Sequence, residues 1–284
     1  MTRENKILII LIFSLSALNI FVWTYAPVTE TGLLEVSFLD VGQGDSILVK
    51  APNGKKLLID GGRNSSVTRE LSSQINFSEK DIDVVLATHP DADHIGGLPD
   101  VFDRFNVLNY VDSGAKGDDN TYRALMDRVS SDGSRYLEAQ RGLVIVLDKE
   151  NGVYFQVLAP DEKFNFKDRN DMSVAGRLVY KNTSFMLTGD ASKAVENILV
   201  YSDGDLLHSD VLKAGHHGSK TSSGLLFLET VTPDFSIISA SDTNTYGHPH
   251  ISVIENLQKV GSEILETSKE GTITFQSDGE KVWR

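Results

Sequence analysis

The alternation of apolar and polar positions divides most of the chain into short runs. "LLEVSFL", "SILVKA" and "KKLLIDGG" are β-type, and they are separated by "DVGQGD" and the turn "PNGK", a spacing that predicts a strand meander. Residues 67–79 read as helical or irregular. "DVVLAT" has the β-branched content of a buried strand, and "IGGLPDVFDRF" after it has the apolar spacing of a helix. Further on, "VLNYV", "LVIVL", "VYFQVLAP", "SVAGRLVY" and "TSFMLTGD" read as strands, with polar "GAKGDDN" and a helix over residues 120–131 among them. The remainder alternates regularly: helix "SKAVENILVYS", strand "DVLKA", helix "SGLLFLETV", strand "FSIISA", helix "ISVIENLQKV" and a final strand "TITFQ". This mixture predicts one α/β or α+β domain over residues 33–284.

The amino-terminal pattern is of another kind. A run of twenty residues without a charge, "ILIILIFSLSALNIFVWTYA", opens at Ile7 and closes at Ala26, and that length matches the hydrocarbon core of a bilayer. Arg3 and Lys6 precede it, so the positive-inside bias predicts a cytoplasmic amino terminus and a domain outside the cytoplasm, with Trp23 and Tyr25 at the interface. Residues 1–27 are therefore read as an anchor, with a cleaved signal ending at the tripeptide Thr24-Tyr25-Ala26 as the alternative. Residues 28–32 form a linker. A single-pass membrane protein is expected on the first reading and a secreted one on the second.

Composition narrows the chemistry. The 284 residues contain no cysteine, so a catalytic metal must be held by histidine, carboxylate or backbone oxygen. A formal charge of −13 opposes any broad phosphate-binding surface and confines nucleic acid to a small site.

Candidate ligands gather at strand ends. Asp60 closes "LLID", His89 follows "VVLAT", Asp190 closes "FMLTGD", and His216 and His217 follow "VLKAG". Loops at strand ends are where a rigid sheet aims functional groups. Within "HPDADH" the spacing lets His89 and Asp91 face one point while Asp93 and His94 face its neighbour, as two adjacent divalent ions require. "DVGQGD" has two readings: a tight turn served by its glycines, or direct contact with the site through Asp40, Gln43 or Asp45.

Taken in order, "FLDVGQGDSILV", "LLIDGG", "THPDADHIGGL", "LTGD", "VLKAGHHGSKTSS" and "YGHPH" resemble the metallo-β-lactamase-type domain of ComEC competence proteins, over about residues 33–276. The resemblance implies an αββα sandwich with metals at one edge of two facing sheets. It assigns His89 and Asp91 to a first metal, Asp93 and His94 to a second, and Asp190 to the bridge between them. His216 is expected to close the second position, with His217 as the alternative. The additional histidine usual in the fold has no counterpart, because none occurs between His94 and His208. An oxygen-rich first position follows, helped by Asn170 or Asp171 and suited to Mn²⁺ or Mg²⁺ as much as to Zn²⁺.

Asp60 is read as a group that fixes a histidine tautomer or acts on the attacking water, and Asp93 and His248 as further catalytic groups. Ser219, Lys220 and His250 are read as substrate-binding, with Lys213 adding local positive charge. The leading expectation is a membrane-anchored, metal-dependent phosphodiesterase acting on DNA and linked to competence. Hydrolysis of a small ester, lactone or lactam is one alternative, and a metal-depleted binding module is the other.

Overall fold

The computed structural model describes residues 32–164 and 166–284. The expected anchor or signal over residues 1–27 lies outside the described residues. Among the described residues no helix is long and apolar enough to cross a membrane.

The meander forms as its pattern predicts. Strands β1 (Leu34–Phe38), β2 (Ile47–Lys50) and β3 (Lys56–Ile59) pair antiparallel, and β4 (Asp81–Ala87), β5 (Asn106–Asp112) and β6 (Arg135–Glu138) continue the sheet in parallel. A second sheet begins with the antiparallel set β7 (Val144–Asp148), β8 (Val153–Ala159), β9 (Ala175–Tyr180) and β10 (Thr183–Leu187). It ends with the parallel set β11 (Val211–Lys213), β12 (Phe235–Ile238) and β13 (Glu263–Glu266). The chain then returns to the first sheet through β14 (Ile273–Ser277), which pairs with β1, and β15 (Val282–Trp283).

Strand β4 shows why the sheets face each other. Val84 and Leu86 point into a layer shared with Phe155, Leu178, Phe185 and Leu187 of the second sheet, while Val85 and Ala87 point to the opposite face. An unbroken apolar run satisfies both faces, as a strand buried on two sides requires. Each fully buried leucine or phenylalanine contributes roughly 2 kcal/mol by removal from water.

Helices cover the outer faces. On the first sheet lie α1 (Ser66–Gln74), the single turn α2 (Ala92–Ile95), α3 (Leu98–Arg104) and α4 (Asn120–Asp132), through Val67, Leu71, Ile95, Leu98, Val101 and Leu125. On the second lie α5 (Lys193–Asp203), α6 (Leu225–Val231) and α7 (Ile251–Lys259), through Val195, Leu199, Phe227, Leu228, Val253 and Leu257. A last turn, α8 (Thr267–Glu270), follows β13. The layers run αββα, as the resemblance implies. Strands β6, "RYLE", and β13, "EILE", are absent from the sequence reading. Both are short edge strands with charged ends, and a short charged edge carries no periodicity to read.

Candidate metal centre

Parallel strands place their carboxyl ends on one edge, so β3, β4, β10 and β11 deliver Asp60, His89, Asp190 and the His216-His217 pair there. Asp60 follows β3 with φ of 59°. That turn buries its carboxylate, where Oδ1 accepts the Thr88 N–H at 2.7 Å and Oδ2 accepts the Thr88 hydroxyl at 2.8 Å. After β4, the chain enters α2 with Asp91 at its amino-terminal cap position, and the His94 N–H donates to the Asp91 carbonyl at 2.9 Å. The loop before β2 fits closely beneath: a Cβ on Gly44 would stand 2.0 Å from the Asp93 carbonyl oxygen. Only glycine allows that approach, and it sets the neighbouring Asp45 side chain into the site.

Asp190 is the hub. Its Oδ1 lies 3.3 Å from His94 Nε2, and its Oδ2 lies 3.5 Å from His216 Nε2, 3.7 Å from His217 Nε2 and 3.8 Å from His89 Nε2. Asp93 Oδ2 is 3.5 Å from His217 Nε2, and Asp91 Oδ2 is 3.9 Å from His89 Nε2. One carboxylate therefore gathers four imidazoles. Asp93, His94 and His217 stand together on one side, with the His94 and His217 Nε2 atoms 3.3 Å apart. His89 adjoins His94 on another side, their ring centroids 4.1 Å apart, with Asp91 beside His89, and His216 reaches Asp190 next to His217.

The outer nitrogens of two histidines are fixed by buried carboxylates. His94 Nδ1 lies 2.7 Å from Asp60 Oδ2, and His217 Nδ1 lies 3.1 Å from Asp45 Oδ1. An ionised carboxylate only accepts, so Nδ1 carries a proton in both rings and Nε2 faces the centre. Ligand atoms of Asp45, His94, Asp190 and His217 all fall within 4.8 Å of one another. Asp45 Oδ1 is, however, committed to His217 and to Lys213 Nζ at 2.9 Å, which makes Asp45 the residue that orients His217.

The electrostatics call for cations. Burial works against charge on Asp190, yet His94 and His217 hold its carboxyl well below the usual range. Burial opposes charge on His217 too, but Asp190 and Asp45 raise it to about 9. His94 is likewise raised well above its ordinary value by Asp190 and Asp60, against its burial. His89 goes the other way: burial and the adjacent His94 lower it to about 3, leaving a neutral ring. Its Nε2 and Asp190 Oδ1 are buried and make no hydrogen bond. Inward-facing imidazole nitrogens, a carboxylate hub and buried polar atoms of this kind fit one or two divalent ions.

Several sequence expectations take a different form. His217, rather than His216, stands with Asp93 and His94. His216 lies outside that group, a quarter exposed, with Nδ1 3.2 Å from the Thr221 hydroxyl. Lys213 adds no positive charge for a phosphate, because it is fully buried against Asp45 and the Ala214 carbonyl. Ser219 is nearly buried and its hydroxyl meets that of Thr221 at 2.9 Å. Lys220 is exposed on the same loop. His250 caps α7, its Nδ1 accepting the Ser252 N–H at 3.2 Å. His248 is half-buried, with its ring 5.7 Å from that of His216 and its Nδ1 without a hydrogen bond.

Of the two readings of "DVGQGD", both occur. Asp40 Oδ1 accepts the Gly42 N–H at 3.2 Å in a turn, whereas Asp45 enters the site. Three supporting residues carry no ligand pattern in the sequence: Thr88, Thr221 and Arg169. Arg169 Nε lies 3.2 Å from Asp91 Oδ1. It stands beside Asn170 and Asp171, and an arginine, being no metal ligand, carries no metal-site pattern in the sequence.

With this geometry in hand, comparison with known proteins gives a consistent pattern. The family model described as "Metallo-beta-lactamase superfamily" matches residues 39–241. The chain is 30% identical over 259 residues to ComE operon protein 3 of Bacillus subtilis, covering 85% of this chain and 33% of that protein. It is 31% identical over 243 residues to the competence protein ComA of Neisseria gonorrhoeae, covering 84% and 32%. The chain thus spans about a third of the length of these curated relatives. Among solved structures, the metallo-beta-lactamase fold protein YhfI from Bacillus subtilis superposes with a TM-score of 0.56 at 11% identity, over 86% of this chain and 99% of that one. Zn²⁺-bound PqqB from Methylobacterium extorquens gives 0.52 at 10% identity, over 82% and 87%. At such identities the likeness is one of fold.

Proposed function

The chain belongs to the metallo-beta-lactamase superfamily, and on that premise we propose that it is a metal-dependent phosphodiesterase that cleaves single-stranded DNA. The observation that carries this reading is the hub: one buried carboxylate, Asp190, within 3.8 Å of four histidine Nε2 atoms. Divalent ions bound there supply Lewis acidity, acidify water and neutralise a leaving oxygen. Asp93, His94, His217 and Asp190 would hold one ion. His89, Asp91, Asp190 and His216 would hold a second. His216 would supply a nitrogen to that second position, so zinc and manganese would both suit the pair.

The remaining residues orient and receive. Asp60 and Asp45 keep two imidazoles in the ligating tautomer. Burial and the nearby His216 lower the proton affinity of His248, which favours a neutral ring able to take a proton or hydrogen bond from a substrate oxygen. Lys220 meets a neighbouring phosphate from its exposed loop. The names of the competence relatives favour DNA over a small ester, and the acidic surface limits the contact to this one edge.

An activity screen of the purified full chain with Mn²⁺, Zn²⁺ or Mg²⁺ tests the reading. Single-stranded DNA and bis-p-nitrophenyl phosphate should be hydrolysed, Asp190→Ala should hydrolyse neither, and at least one ion should be bound per chain. Hydrolysis confined to a lactam or a carboxylic ester overturns it, and a chain that holds no metal favours a binding module.

We further propose that the uncharged run from Ile7 to Ala26 anchors the domain outside the cytoplasm. The support is its length and the flanking Arg3 and Lys6. Membrane fractionation checks this, and a soluble product beginning near Pro27 would mark a cleaved signal instead.

A further inference from the structure

A row of aromatic rings leads from the metal centre to the surface. The His94 and His217 ring centroids are 5.1 Å apart, His216 stands 6.0 Å from His217, and His248 stands 5.7 Å from His216. Tyr246 closes the row: its ring lies 5.8 Å from His248, nearly parallel at 23°. The inner rings are buried or half-buried, while Tyr246 is 60% exposed. The tyrosine stacks beside an imidazole, and the residue as a whole is largely open to solvent.

The loop beneath it is held firmly. Asn244 Nδ2 donates to the Ser241 and His248 carbonyls at 2.6 Å each, and its Oδ1 accepts the Tyr246 N–H at 3.2 Å and the His248 N–H at 3.0 Å. The Ser241 N–H donates to Gln43 Oε1 at 3.3 Å, which ties this loop to the one carrying Asp45. Little ordering remains to be done when a ligand settles on the ring, so contact there is realised as affinity.

We propose that Tyr246 is a stacking platform for a nucleobase next to the scissile phosphate, so that the site selects single-stranded nucleic acid over diesters without bases. The inference rests on the nuclease reading above. With the phosphate at the hub, the ring row carries the flanking nucleotide outward and sets its base over the open tyrosine face. A flat ring suits any base, since each presents a π-face, and stacking is tolerant of sequence. The polar groups of Asn244 are spent within the loop and are not available to read base edges. Bases paired in a duplex are not free to turn onto the ring.

The test uses the metal-loaded full chain and two oligomers of equal phosphate charge, a single-stranded oligodeoxyadenylate and its wholly abasic counterpart. Wild type should favour the base-bearing oligomer about tenfold in kcat/KM, carried by KM. In Tyr246→Ala that ratio should fall to about two or less, while Tyr246→Phe and Tyr246→Trp keep it. Bound metal per chain, measured on the same preparations, verifies an intact centre. A wild-type ratio retained in Tyr246→Ala, or lost equally in Tyr246→Phe, overturns the platform. Cleavage of neither oligomer by the wild type overturns the nuclease reading itself, and this inference with it.

Discussion

Asp60 Oδ2 lies 2.7 Å from Nδ1 of His94, in a pocket where neither side chain reaches solvent. The same device recurs across the site, where Asp45 and His217 meet at 3.1 Å. Each carboxylate comes from the meander and each histidine from a later segment, His94 from α2 and His217 from the turn after β11, so the packing of both sheets fixes the tautomers. Burial pushes the Asp60 carboxyl up, against the pull of His94 and Thr88. It is held by its partners rather than by water.

The Asp60→Asn variant breaks this arrangement without changing shape. An amide has one acceptor oxygen, while Asp60 uses two, one for the Thr88 N–H and one shared by the Thr88 hydroxyl and His94. His94 then loses its fixed orientation, and affinity for Mn²⁺ or Zn²⁺ should fall about 10- to 100-fold. Calorimetric titration of metal into the apo-protein measures this. An unchanged dissociation constant would show that Asp60 does not hold His94 in its ligating form.

Neighbouring histidines should differ in what they cost. His217→Ala removes a buried ring that touches Asp45, Asp93, His94 and Asp190, and it leaves the Asp45–Lys213 pair short of a partner. Elemental analysis should find the ion held with His94 gone, and stability should drop by about 1–3 kcal/mol. His216→Ala, at a more exposed position, should keep that ion and lose the other. Equal metal loss in the two variants would contradict the separate groups drawn around Asp190.

The site was legible in the sequence where chemistry and spacing coincide. "HPDADH" announces itself because four ligand-type residues stand at the end of one apolar strand. Asp190 and the His216-His217 pair are marked by the same strand-end rule. Which of the paired histidines faces inward is a backbone matter: both have positive φ, 49° and 54°, and only the fold decides which side chain turns toward Asp45. The role of Asp45 was legible only in part, since "DVGQGD" serves as a turn and as a source of a ligand orienter at once. Lys213 shows the opposite failure, a cation at the right place in sequence that the fold spends on a buried ion pair. Thr88, Thr221 and Arg169 act through other side chains and leave no pattern of their own.

Glu196 predicts a dependence of stability on pH. Its buried carboxylate accepts the Ser223 N–H at 2.6 Å and the Gly224 N–H at 2.8 Å, with Lys193 nearby. Burial outweighs these contacts and raises the group from 4.5 to about 7. A raised value in the folded state means that the native protein binds more protons, so the Glu196 contribution is complete below about pH 4.5 and lost as pH rises through about 7. The stability difference between wild type and Glu196→Gln should therefore shift against wild type by about 3 kcal/mol over that window. Denaturant titrations at pH 4.5 and pH 8 give the difference, and parallel curves for the two proteins would refute the assignment.

Salt separates a local grip on DNA from a broad one. With Lys213 buried, the cations at this place are the exposed Lys220 of the loop after His217 and Lys193 at the start of α5, whose Nζ donates to the Lys220 carbonyl at 2.7 Å. The net charge of −13 repels strands elsewhere. If roughly two phosphates are neutralised, the logarithm of affinity should fall with the logarithm of salt at a slope of about −1.4, and Lys220→Glu should bring it to about −0.7 or shallower. The same change should slow cleavage of single-stranded DNA far more than that of bis-p-nitrophenyl phosphate, because the lysine meets a phosphate beside the scissile one. Binding measured by anisotropy from 50 to 300 mM salt, roughly the range where single-strand contacts are read, supplies the slope. A slope several times steeper, or an equal loss on both substrates, would place the DNA on a different surface of the molecule.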